Sequence, residues 1–113
     1  MLPFPYRLTS REDFALIYKN GVFVGADGIS LKFLKTNQPY TKIGFPVGKN
    51  YAKKAVSRNR ARRILREAVR AQLKLLRPGY NVVLMLKPRE TPLQLAEAIE
   101  KTRKLFLKAR LLG

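Results

Sequence analysis

The stretch AVSRNRARRILREAVR, residues 55–70, carries helical spacing with two sides that cannot share one environment. The spacing predicts a helix from about Val56 to Leu76. At 3.6 residues per turn, Ala61, Ile64, Leu65, Ala68, Gln72, Leu75 and Leu76 form an apolar arc broken only by Gln72. Asn59, Arg62, Arg63, Arg66, Arg70 and Lys74 fall on the opposite arc. The apolar arc needs a sheet or another helix beneath it, and the basic arc must face solvent or an anion. From Lys49 to Arg77 there are eleven Lys or Arg and one acid, Glu67. A merely solvated helix face commonly mixes signs, so that i,i+4 pairs support it. Here Arg58–Arg62, Arg62–Arg66 and Arg66–Arg70 repel instead. A phosphate backbone turns that repulsion into attraction, and arginine both binds phosphate bidentately and stacks on bases.

The whole chain shares the bias. Its 113 residues hold 24 Lys and Arg against 7 Asp and Glu, a net charge of +17. Such a surface calls for nucleic acid or an anionic membrane. Membrane-binding helices set bulky apolar residues opposite the charges on an accessible face, whereas this apolar arc has a sheet to pack on. The run VVLML at 82–86 is too short to cross a bilayer, and MLPFPYRLTS lacks the apolar core of a signal peptide. The absence of cysteine fits a reducing compartment. The expectation is one cytoplasmic domain, residues 1–113, that binds a polyanion and no membrane.

The remaining elements follow from period and punctuation. LTSREDFALIYKNG opens a helix, with Ser10 as cap, Asp13 as its partner and Phe14, Ile17 and Tyr18 on one face. VFVGADGISLKFLK reads as a hairpin turning at GADG, with Asp27 in the turn. KIGFPVG reads as a third strand with Ile43, Phe45 and Val47 on one face, and Pro46 demands an edge or a bulge. YNVVLML reads as a strand buried on both sides. Thr91 is the expected cap of a last helix, with Pro92 at its first position and Gln94 closing a capping box. That helix would bury Leu95, Ala98, Ile99, Thr102 and Phe106. The order is αβββαβα, an α+β domain with one four-stranded sheet and helices packed on it.

Catalytic equipment is scarce. The chain has no histidine, and its carboxylates are Glu12, Asp13, Asp27, Glu67, Glu90, Glu97 and Glu100. Glu12 and Asp13 suit a helix start, and Glu97 and Glu100 can be an ordinary solvated pair. No phosphate-cradling glycine loop is present. A protein-only nuclease needs acid–base groups or a carboxylate set for metal ions, so a binder is expected, with no catalytic residue, no metal site and no cofactor of its own. Asn59 leaves two readings open: it can cap the helix, or it can pin a base edge or 2′-hydroxyl.

At these residues the chain resembles a known family. Ala55, Val56, Arg58, Asn59, Arg60, Arg62, Arg63, Arg66 and Glu67 match, in fixed register, the RNR signature of the bacterial ribonuclease P protein subunit. Phe14, Ile17, Tyr18 and Gly21 are similar to the pattern of that family's opening helix. The resemblance implies a fold like domain 2 of ribosomal protein S5, with a left-handed βαβ crossover where the usual prior is right-handed. It implies an RNA-binding face of Arg58, Asn59, Arg60, Arg62, Arg63 and Arg66, which Arg70 on the same arc extends. The family's Lys-Lys pair after the third strand is reduced here to Lys49, and Lys53 and Lys54 lie close enough to replace the missing charge. A cleft between the first helix and the sheet would take the 5′ leader of precursor tRNA. Phe14 and Tyr18 are its candidate stacking residues, though core packing accounts for their i,i+4 spacing equally well. Lys32 and Phe33 compete for the sheet position in that cleft.

The expected function is therefore that of the non-catalytic protein subunit of ribonuclease P. Its partners would be ribonuclease P RNA and precursor tRNA, with no obligate protein partner. The RNA would perform the Mg²⁺-dependent hydrolysis. A structural rRNA-binding ribosomal protein is the alternative, and a DNA regulator lacks an evident helix-turn-helix or dimer seam.

Overall fold

The computed structural model describes residues 6–26 and 28–112. In chain order the elements are α1 (Arg11–Asn20), β1 (Val22–Gly25), β2 (Ile29–Lys35), β3 (Lys42–Gly44), α2 (Ala55–Arg70), β4 (Tyr80–Leu86) and α3 (Leu95–Lys108). A 3-10 turn at Leu73–Leu75 follows α2. The sheet order is β1-β2-β4-β3. β2 is antiparallel to β1 and β4, while β3 runs parallel to β4 and reaches it through α2. The result is the expected αβββαβα domain with a mixed sheet.

β4 is apolar on both sides because helices cover both sheet faces. Val82 and Leu84 join the main core with Ala61, Leu65, Ala68 and Val69 of α2 and with Ala98, Leu105 and Phe106 of α3. Val83 points the other way, into a smaller cluster with Leu8 and Ile17 under α1. Ser10 caps α1 as expected, its Oγ accepting from the Asp13 N–H at 3.3 Å. Asp27, expected in the β1–β2 turn, lies outside the described residues.

Three boundaries differ from the sequence expectation. α2 stops at Arg70, not near Leu76. Gln72 is buried, and its Nε2 donates to Thr102 Oγ1 of α3 at 2.9 Å and to Ala68 O at 3.1 Å. The chain then tightens into the 3-10 turn, so Leu75 rotates into solvent and Val69 takes a core place instead. β3 ends at Gly44, where Pro46 has no N–H to give and Val47 N–H bonds Phe45 O at 2.8 Å. It is an edge strand, as Pro46 requires.

The third difference is the start of α3. Thr91 does not cap it: the helix begins at Leu95, with Gln94 at the N-cap and no side-chain cap bond. Arg89 takes Thr91 O at 2.7 Å, and Leu93 is fully buried. Sinking a leucine is worth about 1.5–3 kcal/mol and a cap about 1 kcal/mol, so the extended segment that inserts Leu93 wins.

The far end of α3 carries a strained residue. Leu111 N–H bonds Phe106 O at 2.8 Å and Arg110 N–H bonds Leu107 O at 3.1 Å, a Schellman closure. It places Arg110 at φ 60°, a position that favours glycine. Arg110→Gly should therefore stabilise the fold by about 0.5–1 kcal/mol, read as a raised midpoint in urea. A lowered midpoint would show that the Arg110 side chain contributes more than its backbone costs.

Candidate nucleic-acid interface

The basic helix begins without any counter-charge. The N-cap residue, Lys54, makes no side-chain cap bond and no acid occupies the first turn. Lys53 and Lys54 therefore sit exposed beside the positive end of the helix dipole, an arrangement that an anion would relieve. Arg58 donates from Nη1 to Ala52 O at 3.1 Å and to Lys53 O at 2.6 Å, folding the lysine segment back on the helix start. Lys49 is exposed in the loop before it.

The arginines of α2 leave the helix in three directions. Arg62 turns toward β3, donating from Nη2 to Val47 O at 2.5 Å and from Nη1 to Asn59 Oδ1 at 2.8 Å. Arg60 turns toward α3 and donates to Leu93 O at 3.0 Å. Arg63 points to solvent, and with Asn59, Val56, Arg66 and Glu67 it borders a shallow hollow of about 560 Å³ on the outer face. Arg70, also exposed, stands 4.0 Å from Glu67 in a pair too solvated to contribute much. The carbonyl contacts consume one or two of five guanidinium donors and leave each charge intact. They fix the direction of these side chains before any partner arrives.

Asn59 does not cap α2. It lies five residues past the N-cap, and its carbonyl orients Arg62. The local reading as a cap is corrected by the helix starting earlier than the asparagine requires.

Arg62 and Arg66 also border a cleft of about 350 Å³ between α1, β3 and α2. Phe14 and Phe45 supply its aromatic walls, and Arg7 and Thr9 its near rim. Gly44 makes the arrangement possible: a Cβ there would stand 2.5 Å from Phe14 Cζ, so only glycine lets the ring lie on β3. One helical turn on, Tyr18 is 45% exposed, its ring centroid 6.4 Å from that of Phe14 and tilted by 31°. Partial burial raises the pKa of its hydroxyl, which stays a neutral donor. Lys32 joins them, its Nζ donating to Tyr18 O at 3.0 Å.

Phe33 does not join them. Strand alternation puts it on the opposite face, edge-on to Tyr80 with centroids 6.0 Å apart, packed on the main core. Phe23, the cross-strand partner of Lys32, lies on the same sheet face as that lysine and is 59% exposed. Arg7 and Phe45 are the cleft residues that sequence reasoning missed. Phe45 alternates with Ile43 and reads as core. Arg7 precedes the helix without any periodic signal, and it reaches the cleft only because its segment pairs with Ile43 on the open edge of β3.

The carboxylates have other work. Arg89 and Lys101 reach Glu97 at 2.9 and 2.8 Å, and Lys104 reaches Glu100 at 3.1 Å. Among the described residues no three Asp, Glu, His or Cys side chains come together. The hydrogen bond from Arg89, then that from Lys101, lowers the Glu97 carboxyl from 4.5 to about 2. A depressed carboxylate stabilises the fold above its unfolded pKa, and the gain disappears as pH falls through the folded value. Glu97→Gln should lower the melting temperature at neutral pH, and the difference from the parent protein should close between pH 4.5 and about 2. A constant difference across that window would remove the linkage.

The comparisons with known proteins agree on one family. The Ribonuclease P family model matches residues 2–110. A ribonuclease P protein component from Pseudanabaena sp. is 36% identical over 113 residues, covering 99% of this chain and 97% of the relative. One from Symbiobacterium thermophilum is 37% identical over 108 residues, covering 95% and 93%. The RNase P protein of Thermotoga maritima, solved with 1-(4-fluorophenyl)-2-thiourea, superposes with a TM-score of 0.76 at 28% identity, covering 88% of this chain and 95% of that one. The Staphylococcus aureus RNase P protein gives 0.83 at 18% identity, covering 96% and 98%, which speaks for the fold alone. The sequence match over residues 2–110 and the shared sheet-and-helix architecture carry one conclusion: this chain belongs to the ribonuclease P protein family.

Proposed function

We propose that the chain acts as the protein subunit of ribonuclease P. The outer face of α2, with Asn59, Arg63 and Arg66, docks the catalytic RNA, and the α1–β3 cleft holds the 5′ leader of precursor tRNA. The observation that carries this reading is the cleft itself, where Phe14 and Phe45 stand beside Arg62 and Arg66. Aromatic faces hold unstacked bases and guanidinium groups hold the phosphates between them, the combination that grips a single strand without reading its sequence. In this division of labour Mg²⁺ is carried by the RNA, which performs the hydrolysis. The protein screens phosphate repulsion and fixes the leader, so that substrate sits correctly at lower Mg²⁺.

A structural rRNA-binding role is not favoured, since such a protein has no use for a cleft that grips a mobile strand. Cleavage of a leader-bearing precursor tRNA by a bacterial ribonuclease P RNA at low Mg²⁺ tests the reading. Correct 5′ maturation only when this protein is added is the expected result. No stimulation, with tight binding to ribosomal RNA instead, would transfer the chain to the structural role.

A further inference from the structure

A second aromatic concavity lies at the other end of β3. Tyr6 and Tyr40 meet edge to face with centroids 5.4 Å apart, and Tyr40 is 43% exposed. They border a hollow of about 230 Å³ together with Pro39, Lys74 and Pro78. The core does not require Tyr40 to be aromatic, for much of its ring faces water.

The walls of this hollow are fixed in advance. Thr41 joins them, its hydroxyl donating to Arg77 O and accepting from Tyr80 N–H at 3.3 Å. Gln38 ties the Tyr40 loop to β4, donating from Nε2 to Tyr80 O at 3.1 Å and to Asn81 Oδ1 at 2.7 Å. Gly79, at φ 91°, lets the two loops close, because a Cβ there would stand 3.3 Å from Thr36 O. Rigid aromatic surface binds at a lower entropy cost than surface that must first be ordered.

Its electrostatics select an anion. Lys74 lines the hollow, Lys42 and Arg77 neighbour its wall residues, and among the described residues no carboxylate lines it. The volume is below the roughly 300 Å³ of small-molecule sites, which suits one flat ring and not a whole cofactor.

Position then chooses among anions. Tyr6 is followed directly by Arg7, Leu8 and Thr9 of the leader cleft. The Arg7–Ile43 bridge and the bond from Leu8 N–H to Ile43 O at 3.1 Å lay this segment along β3. From Thr41 to Phe45 an extended chain covers about 13 Å, so the two aromatic sites are stations on one edge of the sheet. We infer that the Tyr6–Tyr40 hollow is a second base-stacking site that takes an unpaired nucleotide of the 5′ leader, farther from the cleavage site than those held at Phe14. The inference rests on the leader-cleft reading and lengthens the track.

The test uses the holoenzyme and precursor tRNAs with leaders of about four and about twelve nucleotides. Tyr40→Ala should weaken binding of the long-leader substrate on the order of tenfold, leave the short-leader substrate and ribonuclease P RNA affinity unchanged, and be rescued by Tyr40→Phe. Equal affinity of the Tyr40→Ala and parent holoenzymes for the long leader would overturn the site. Equal weakening of both substrates, or weaker binding of the ribonuclease P RNA, would also overturn it, because the tyrosine would then act through the RNA partner or the fold. Phe14→Ala, measured alongside, reports on the cleft: its effect falls on both leaders, so failure there is recognised separately.

Discussion

Raising salt from about 50 to about 200 mM should cost this protein three or more orders of magnitude in affinity for ribonuclease P RNA, because about six neutralised phosphates give a steep log–log slope. The arginines of α2 should not share that slope in one manner. Arg63 points to solvent, so Arg63→Ala should reduce the slope by about one and leave the melting temperature unchanged. Arg62 instead turns into the cleft and bridges Val47 O and Asn59, so Arg62→Ala should change the slope less than Arg63→Ala and loosen the fold. Equilibrium binding across a salt series, with thermal melts of each variant, separates the two behaviours. An unchanged slope in both variants would mean that α2 faces away from the RNA.

The second large effect concerns the cleft. Phe14→Ala removes a stacking surface worth about 1–3 kcal/mol per base, so affinity for leader-bearing substrate should fall about fivefold to more than a hundredfold. Gly44→Val reaches the same place from the sheet side. Its side chain would occupy space where a Cβ alone stands 2.5 Å from the Phe14 ring, forcing that ring off β3 at about 1–3 kcal/mol of overpacking. Both variants should bind ribonuclease P RNA normally, because neither residue lies on the outer face of α2. A Phe14→Ala holoenzyme with undiminished leader affinity would return Phe14 to an ordinary core role.

These two effects differ in how much of them the sequence reveals. The basic face of α2 is legible because charge and 3.6-residue period coincide over residues 55–70, and the arcs read from spacing are those observed at Ala61, Leu65, Asn59 and Arg63. The four strands and the burial of β4 on both faces follow from strand period and apolar runs, whereas the order β1-β2-β4-β3 is recorded by no local period. Local signals fail where distant residues compete. The capping box at Thr91 is sound in isolation, but the burial of Leu93 and the grip of Arg89 on Thr91 O override it. The helix expected to reach Leu76 ends at Arg70 because Gln72 finds Thr102 on α3, some thirty positions away. Lys32 and Phe33 could not be ranked from spacing; α1 covering one face decides for Lys32. Arg7 and Phe45 depend on how the chain crosses the edge of β3, which no periodicity records.

The glycine and arginine contacts also explain how so charged a chain holds a defined surface. Arg58, Arg60 and Arg62 each bind backbone carbonyls of neighbouring loops. Like charges on α2 are thereby held apart in three directions, and their remaining donors are presented without a large ordering cost on binding.

Precursor and mature tRNA distinguish a protein that holds the leader from one that acts only on the RNA subunit. Binding of each to ribonuclease P RNA is measured with and without this protein, at one salt and one Mg²⁺ concentration. The two substrates differ only in the 5′ leader, so a protein that holds the leader should tighten precursor tRNA binding and leave mature tRNA nearly unchanged. An equal gain for both would show that the protein acts only through the RNA subunit, and the α1–β3 cleft would lose its assigned ligand.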